Sequence, residues 1–302
     1  DGALFRLCLI FMVFMPHASS TPSSHPSSSA PLLSAHAAEA ADPVLRRDAA
    51  GIACLTLNRP QSRNALSMPM MTALRDQLFT IASDQDIRVV IIKAEGPVFC
   101  AGHELREMTA WRQAEDGGKA AFEQAFDLCA QMMQAIMTLP QPVIAAVEGM
   151  ATAAGCQLVA SCDLAVAGQT AGFCTPGVHI GLFCSTPLVA LSRNVGRKQA
   201  MEMLLLGERI PAQRALEFGL INRVVNEGEA LQQAEALARV IASKSQRALR
   251  IGKKAFYEQA EMPIIEAYRH AGAVMVENML AHDAQEGIGA FIEKRPPQWQ
   301  DR

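Results

Sequence analysis

An α/β fold ending in a wholly helical part is the class this sequence predicts, and three observations predict it. Short apolar runs of strand length, Arg88–Lys93, Val143–Glu148 and Leu164–Ala167, recur between stretches of helical period. They show little alternation, which is how strands covered on both faces read. Small-residue turns lead from such runs into helices at Gly96–Met108 and Gly149–Gly155. From Glu227 to Lys294 the apolar spacing is helical nearly throughout, with no strand. The chain thus divides into a leader (1–43), an αβ core (44–225) and a helical region (226–302).

Residues 1–43 fall outside the fold. Arg6 precedes an apolar run, Leu7–Met15, and a long Ser/Pro tract follows. Ala35-His36-Ala37 loosely matches a secretory cleavage site. The lack of acids between Asp1 and Glu39 matches a transit peptide, for which one arginine is too few. The segment reads as a disordered leader of signal, transit or extraneous origin. Its apolar run is too short to span a bilayer, so no membrane partner is expected.

From Val44 the globular pattern begins. Gly51–Leu57 reads as a strand and Asn58-Arg59-Pro60 as a turn. Ser67 can cap a helix with Met71, Leu74, Leu78 and Ile81 on its inner face. Arg88–Lys93 is the next strand. Lys119–Leu139 is a helix with Phe122, Phe126, Cys129, Met133 and Ile136 on one face, stopped by Pro140 and Pro142. The central stretch, Pro142–Pro187, holds a strand (Val143–Glu148), a turn (Gly149–Gly155), a helix (Cys156–Ser161), a second strand (Leu164–Ala167) and a loop ending at Gly181. Helices at Lys198–Leu206 and Pro211–Phe218 are closed by Gly207 and Gly219. Leu220–Val225 is a short strand.

Composition narrows the function. Half of the 302 residues are apolar, ample for a sizeable core. With 27 basic and 30 acidic residues the net charge is −3, which supplies no broad electrostatic footprint for nucleic acid. A local basic patch for an anionic ligand remains open. The eight cysteines are scattered through apolar runs without a CxxC pair, and the reduced, buried state is expected of them. The seven histidines show no metal-ligand spacing, and no metal is expected.

The two turn-to-helix joins carry the chemistry. The first N–H groups of a helix have no intrahelical acceptor and sit at the positive end of its dipole. Small residues such as Ala153, Ala154 and Gly155 let a ligand oxygen approach them. Either turn alone looks like any strand-to-helix connection. Two of them converging would aim a pair of donors at one oxygen, the arrangement that stabilises an enolate or oxyanion.

The segments RNALS (63–67), FCAGHEL (99–105), PVIAAVEGMATAAGCQLVASCDLAVA (142–167), LLLGERIPAQRALEFGLINRVV (204–225) and FIEKR (291–295) resemble, in this order, the crotonase or enoyl-CoA hydratase/isomerase superfamily. The resemblance runs from about Val44 to Arg295. It implies a spiral of ββα units and a C-terminal helical region that packs subunits into a homotrimer or a dimer of trimers. It implies an acyl-CoA thioester as substrate, with coenzyme A part of the substrate and no separate cofactor. Its oxyanion donors fall on the backbone N–H groups of His103 and Ala154. Contacts to coenzyme A fall on Asn64, Ala65, Leu66, Ala101 and His103, with Phe291, Lys294 and Arg295 at the nucleotide end. Such a protein sits in the cytoplasm if bacterial and in the mitochondrial matrix if eukaryotic.

One departure decides what to expect of catalysis. Hydratases of the family use two glutamates to add water to an enoyl double bond, and here those positions hold Gln157 and Gly177. An amide holds water but exchanges no proton at ordinary pH, and glycine offers no group at all. Ordinary hydration should therefore be weak or absent. The His103 side chain and His179 are candidate acids or bases, though each reads more readily as a lining or surface histidine. Glu104, Glu107 and Glu148 read as caps or salt-bridge partners, Asp163 as the fixer of a turn, and Ser185 as a serine without a visible base. Three functions stay open: an acyl-CoA enzyme of fatty-acid-related chemistry, a weakly catalytic acyl-CoA binder or oligomer partner, and an RNA binder, which the charge balance disfavours.

Overall fold

The computed structural model describes residues 42–302. All but the last two residues of the expected leader lie outside them. Along the chain the strands are β1 (Val44–Ala49), β2 (Ile52–Leu57), β3 (Val89–Ala94), β4 (Val98–Cys100), β5 (Val143–Val147), β6 (Met150–Thr152), β7 (Leu164–Gly168), β8 (Gly172–Cys174), β9 (Ile210–Pro211) and β10 (Arg223–Val225). The helices are α1 (Met68–Ala82), α2 (Leu105–Trp111), α3 (Lys119–Thr138), α4 (Ala154–Ser161), α5 (Pro187–Asn194), α6 (Arg197–Leu206), α7 (Ala212–Phe218), α8 (Ala230–Ala242), α9 (Gln246–Ala260), α10 (Ile264–Leu280) and α11 (His282–Glu293).

Two sheets share these strands. The larger runs β1-β2-β3-β5-β7-β10, antiparallel only between β1 and β2. The smaller runs β4-β6-β8-β9 and is parallel except at β9. The chain visits them alternately: β3 then β4, β5 then β6, β7 then β8, each pair leading into helix. This repetition is the ββα spiral, and it places equivalent turns of successive units side by side.

The apolar runs lack alternation because the larger sheet is covered on both faces. Val90 and Ile92 of β3 enter the main core with α1 and α3, while Val89 and Ile91 face the opposite side. On that side α8 lays down Ala230, Ala234 and Ala238, one residue per turn on a single stripe, so its backbone can lie close to the sheet. Helix α1 starts where expected: the Ser67 hydroxyl accepts the Met70 N–H at 3.4 Å, and Met70, Met71, Leu74, Leu78 and Ile81 are buried.

Several local readings change. β1 is a strand although VLRRDA is polar, because it pairs on one side only and is joined to β2 by a two-residue turn, Ala50-Gly51, with both φ angles positive. The stretch Gly149–Gly155 is not wholly a turn, since β6 lies inside it and pairs with β4 and β8. Helix α4 begins at Ala154, two residues earlier than its apolar pattern suggests. The strand read at Leu220–Val225 shortens to β10. On α3 the buried stripe is Ala125, Leu128, Cys129, Met132, Met133, Ala135 and Ile136, which leaves Phe126 partly exposed on the flank.

Beyond α8 the chain is helical, as its spacing predicts. Helix α9 is tied to the spiral by a half-buried cluster. The Lys253 ammonium donates to Asp163 (2.6 Å) and to the carbonyls of Ile136 (2.9 Å) and Gln141 (3.0 Å). The Tyr257 hydroxyl donates to Asp163 at 2.9 Å, and Asp163 also accepts the Val143 N–H at the head of β5 (2.7 Å). Burial pulls the Lys253 pKa down, with Asp163 opposing it. Helices α9, α10 and α11 leave Phe256, Ile264, Ile265, Tyr268, Leu280 and Phe291 exposed.

Candidate active site

The two turns do converge, and strand pairing is the cause. β4 and β6 run parallel in register Val98↔Met150 and Cys100↔Ala151, so they end together. The turn after β4 (Ala101–Glu104) therefore lies against the turn after β6 (Ala153 into α4). A Cβ placed on Gly102 would meet the Ala153 Cβ at 3.0 Å, the Thr152 carbonyl oxygen at 3.0 Å and the Ala154 nitrogen at 3.3 Å. A Cβ on Gly155 would stand 2.8 Å from the Cys100 Cβ and nearer still to the Cys100 carbonyl oxygen. Glycine at both positions is what allows this approach; Gly102 also has φ +83°.

Ala154 is the first residue of α4, so its N–H has no intrahelical acceptor. The residue before it, Ala153, sits at φ 51°, ψ −117°, a region alanine rarely occupies. Its N–H is held by the Cys174 carbonyl of β8 at 2.8 Å, so the third unit braces the strained turn. Nothing in the sequence beyond smallness marks Ala153 for this conformation.

The segment 59–66 frames the other side. Asn64, buried and at φ 51°, accepts the Arg59 N–H (2.8 Å) and donates to the carbonyls of Glu95 (2.9 Å) and Val98 (2.8 Å). Its amide is thus engaged in fixing the turn, and what Asn64 can do for a ligand is to place Ala65 and Leu66. The Leu66 N–H donates to the Gly102 carbonyl at 2.7 Å, Leu66 bridges to His103, and the Ala101 N–H donates to the Arg63 carbonyl at 3.1 Å. Asn64, Ala65, Leu66, Ala101 and His103 therefore form one cluster around the two turns.

The His103 ring lies edge-on to Phe126 of α3, with centroids 5.5 Å apart. Its Nε2 is buried without a hydrogen-bond partner. Burial lowers its pKa below 6.5, and the Leu66 carbonyl beside the ring opposes the shift. Gln157 is 6% exposed on α4, and its Oε1 is likewise buried and unpartnered. Gly177 is buried in the short helical turn Pro176–Ile180. Its φ is not positive, but a Cβ there would meet the Leu182 carbonyl oxygen at 2.9 Å and the Cys184 sulfur at 3.0 Å. Backbone and thiol occupy the space a longer side chain would need.

The spare carboxylates have structural partners. Glu104 accepts the Arg106 N–H (3.1 Å), Glu107 the Met68 N–H (3.0 Å) and Glu148 the Ala230 N–H (3.0 Å), each at the start of a helix, where negative charge is stabilised. His179 is exposed beside Gly207. Ser185 is exposed, with its hydroxyl on the Phe183 carbonyl (3.3 Å). The thiols of Cys100, Cys129, Cys156, Cys162 and Cys184 are free and buried, and burial raises the pKa of Cys100 and Cys129 to about 12.

The C-terminal trio stands at the end of another element. Phe291 and Lys294 end α11, which packs on α9 and α10. The Arg295 guanidinium is paired bidentately with Glu286 (2.6 and 2.9 Å) and with Glu293 (2.6 Å), so its charge is already answered by two carboxylates.

The sequence matches the enoyl-CoA hydratase/isomerase family over residues 47–302. It is 48% identical over 249 residues to the mitochondrial enoyl-CoA hydratase domain-containing protein 3 of Rattus norvegicus, covering 82% of this chain and 81% of that protein. The Homo sapiens protein of the same name is 47% identical over 257 residues, covering 85% and 83%. Among solved structures, that human protein aligns with TM-score 0.81 at 46% identity over 85% of this chain and 100% of its own. An enoyl-CoA hydratase of Mycobacterium smegmatis aligns with TM-score 0.81 at 49% identity, covering 85% and 98%.

Proposed function

The chain belongs to the enoyl-CoA hydratase/isomerase family, and from that premise we propose that it binds an acyl-CoA thioester with the carbonyl oxygen between the backbone N–H groups of His103 and Ala154. The observation that carries this reading is the close approach of the two turns at Gly102, Ala153 and Ala154. Two donors aimed at one oxygen stabilise the negative charge that appears when a thioester becomes an enolate. The reaction served is fatty-acid-related chemistry through that enolate, and ordinary hydration is weak: Gln157 carries no exchangeable proton and Gly177 has no side chain. Coenzyme A enters as part of the substrate, with Ala65, Leu66 and Ala101 beside it and the α11 end near its nucleotide.

A second reading, a binder with little turnover, is favoured by one observation. The Leu182 carbonyl and the Cys184 sulfur crowd the Gly177 position, so the site is packed against regaining its second carboxylate without a loop shift. The exposed apolar side chains of α9–α11 support a homotrimer or a dimer of trimers, because so large an apolar surface is rarely left in water. The rat and human relatives are mitochondrial proteins, which favours a mitochondrial location for a eukaryotic source.

A structure with a bound acyl-CoA tests the core of the proposal. The expected result is a carbonyl oxygen within about 3.2 Å of both nitrogens; more than about 3.5 Å from both overturns it. Light scattering tests the assembly, where a monodisperse monomer would sink the trimer.

A further inference from the structure

The site, as proposed, makes an enolate but has no carboxylate to move the proton. Gln157 and Gly177 cannot. Glu104, Glu107 and Glu148 are bound to helix N–H groups, and Asp163 is held by Lys253, Tyr257 and the Val143 N–H. Ser185 and His179 are exposed on the later loop. Near the two turns one proton-accepting atom is buried and unpartnered on a group able to take a proton: Nε2 of His103.

We propose that His103 is the proton carrier of this site, its Nε2 taking a proton from C2 of the bound thioester while its own backbone N–H holds the enolate oxygen. This rests on the acyl-CoA reading above. Three features of the ring fit the task. The Leu66 carbonyl lies beside it, and because Nε2 has no partner this contact falls to Nδ1; the neutral ring then carries its hydrogen on Nδ1 and its lone pair on Nε2. The edge-on contact with Phe126 fixes the ring plane. Burial keeps the ring neutral at pH 7, the form that can accept a proton.

No charged group sets that state. Glu104 and Glu107 on α2 are engaged, Arg106 points to solvent, and Glu123 and Asp127 on either side of Phe126 are exposed. Burial and the Leu66 carbonyl account for the shift.

The step balances without a co-reactant. The C2–H bond breaks, its electron pair becomes the enolate, and an N–H bond forms at Nε2. The imidazolium then returns the proton either to C2, which is exchange, or to C4 of a 3-enoyl thioester. In the second case the double bond moves from C3–C4 to C2–C3 and the reaction is isomerisation. The substrate class is thus a 3-enoyl-CoA, with saturated acyl-CoA as a partial-reaction probe.

The test is deuterium incorporation at C2 of hexanoyl-CoA in D2O, followed by mass spectrometry, together with 3-hexenoyl-CoA isomerisation and calorimetric binding of both ligands. Wild type should exchange and isomerise, with a rate that rises with pH through a midpoint below 6.5 and is flat above it. His103→Gln and His103→Ala keep the backbone donor, so binding should stay within about threefold while both rates fall by at least about 10²-fold. Binding by wild type with no exchange overturns the histidine and leaves the acyl-CoA reading standing. Absence of binding overturns both. Full rates in a folded His103→Gln, or a wild-type midpoint at or above 6.5, overturn the inference. The wild-type pH profile decides the matter even if neither variant folds.

Discussion

Gly155→Ala is the substitution the paired turns should tolerate least. The new methyl carbon would lie 2.8 Å from the Cys100 Cβ, 2.9 Å from its carbonyl carbon and closer again to the oxygen, whereas ordinary contact begins near 3.4 Å. The obstacle is the backbone of β4, so a rotamer change cannot relieve it. The first turn of α4 must back away by about 1 Å, and a displacement of that size at a reacting centre costs on the order of 10²-fold in rate. It carries the Ala154 N–H from a good hydrogen-bond distance to the edge of one, which approximates the loss of one oxyanion donor, about 10²–10³-fold. Overpacking adds a stability cost of about 1–3 kcal/mol. The assay is C2 exchange and acyl-CoA affinity beside urea denaturation, with Gly252→Ala as control. Gly252 lies within α9 with nothing within 4 Å of its added Cβ, and alanine there should stabilise by up to about 1 kcal/mol. If Gly155→Ala exchanges and binds like wild type, the claim that glycine is needed to bring the donors together is refuted.

Ala153→Gly should stabilise the protein by about 1 kcal/mol, since glycine adopts φ 51°, ψ −117° without the strain alanine carries there; a lower urea midpoint would show that Ala153 is not strained. Gln157→Glu should raise hydration of a short 2-enoyl-CoA from a rate at least about 10²-fold below that of a family member with both glutamates. Gly177→Glu alone should lower the melting temperature, because the Leu182 carbonyl and the Cys184 sulfur stand in its way; an unchanged melting temperature with a higher rate would mean the loop yields easily. Lys253→Met should cost up to about 3 kcal/mol by leaving the half-buried Asp163 without its cation, with the Tyr257 hydroxyl and Val143 N–H still on it. A loss below about 1 kcal/mol in urea melts would remove that cluster as the tether of α9.

What the sequence made legible followed local rules. The doubly buried strands showed as unbroken apolar runs, the helices as periodic stripes, and the two turns as small residues between them. Glu104, Glu107 and Glu148 could be read as caps because each stands near an element boundary. The misses depend on pairing partners, near or far along the chain, that no local pattern names. β1 is polar and owes its conformation to the adjoining β2; β6, Met150-Ala151-Thr152, becomes a strand only between β4 and β8. Phe126 fits the stripe of α3 but is left on its flank, where it meets His103. The pairing of Arg295 with Glu286 across nine residues, and of Lys253 with Asp163 across ninety, leaves no local signal. Ala153 is the hardest case, because its strained backbone belongs to a residue type that ordinarily avoids it.

The register of β4 against β6 has a consequence for how the protein is assembled. The two N–H groups proposed as donors lie in successive units, and neither unit places its group beside the other until the parallel strands have paired across a long crossover. Long-range parallel pairing closes slowly, since the chain must order before the contact rewards it. On the proposed function, the donor pair should be completed late in folding, and a thioester that bridges it would bind the native state and find nothing to hold in the unfolded one. Such a ligand acts as a pharmacological chaperone: at a hundred times its dissociation constant it should stabilise the native state by about 2.7 kcal/mol. Refolding yield with and without acyl-CoA would report the completion of the site through folding rather than through catalysis.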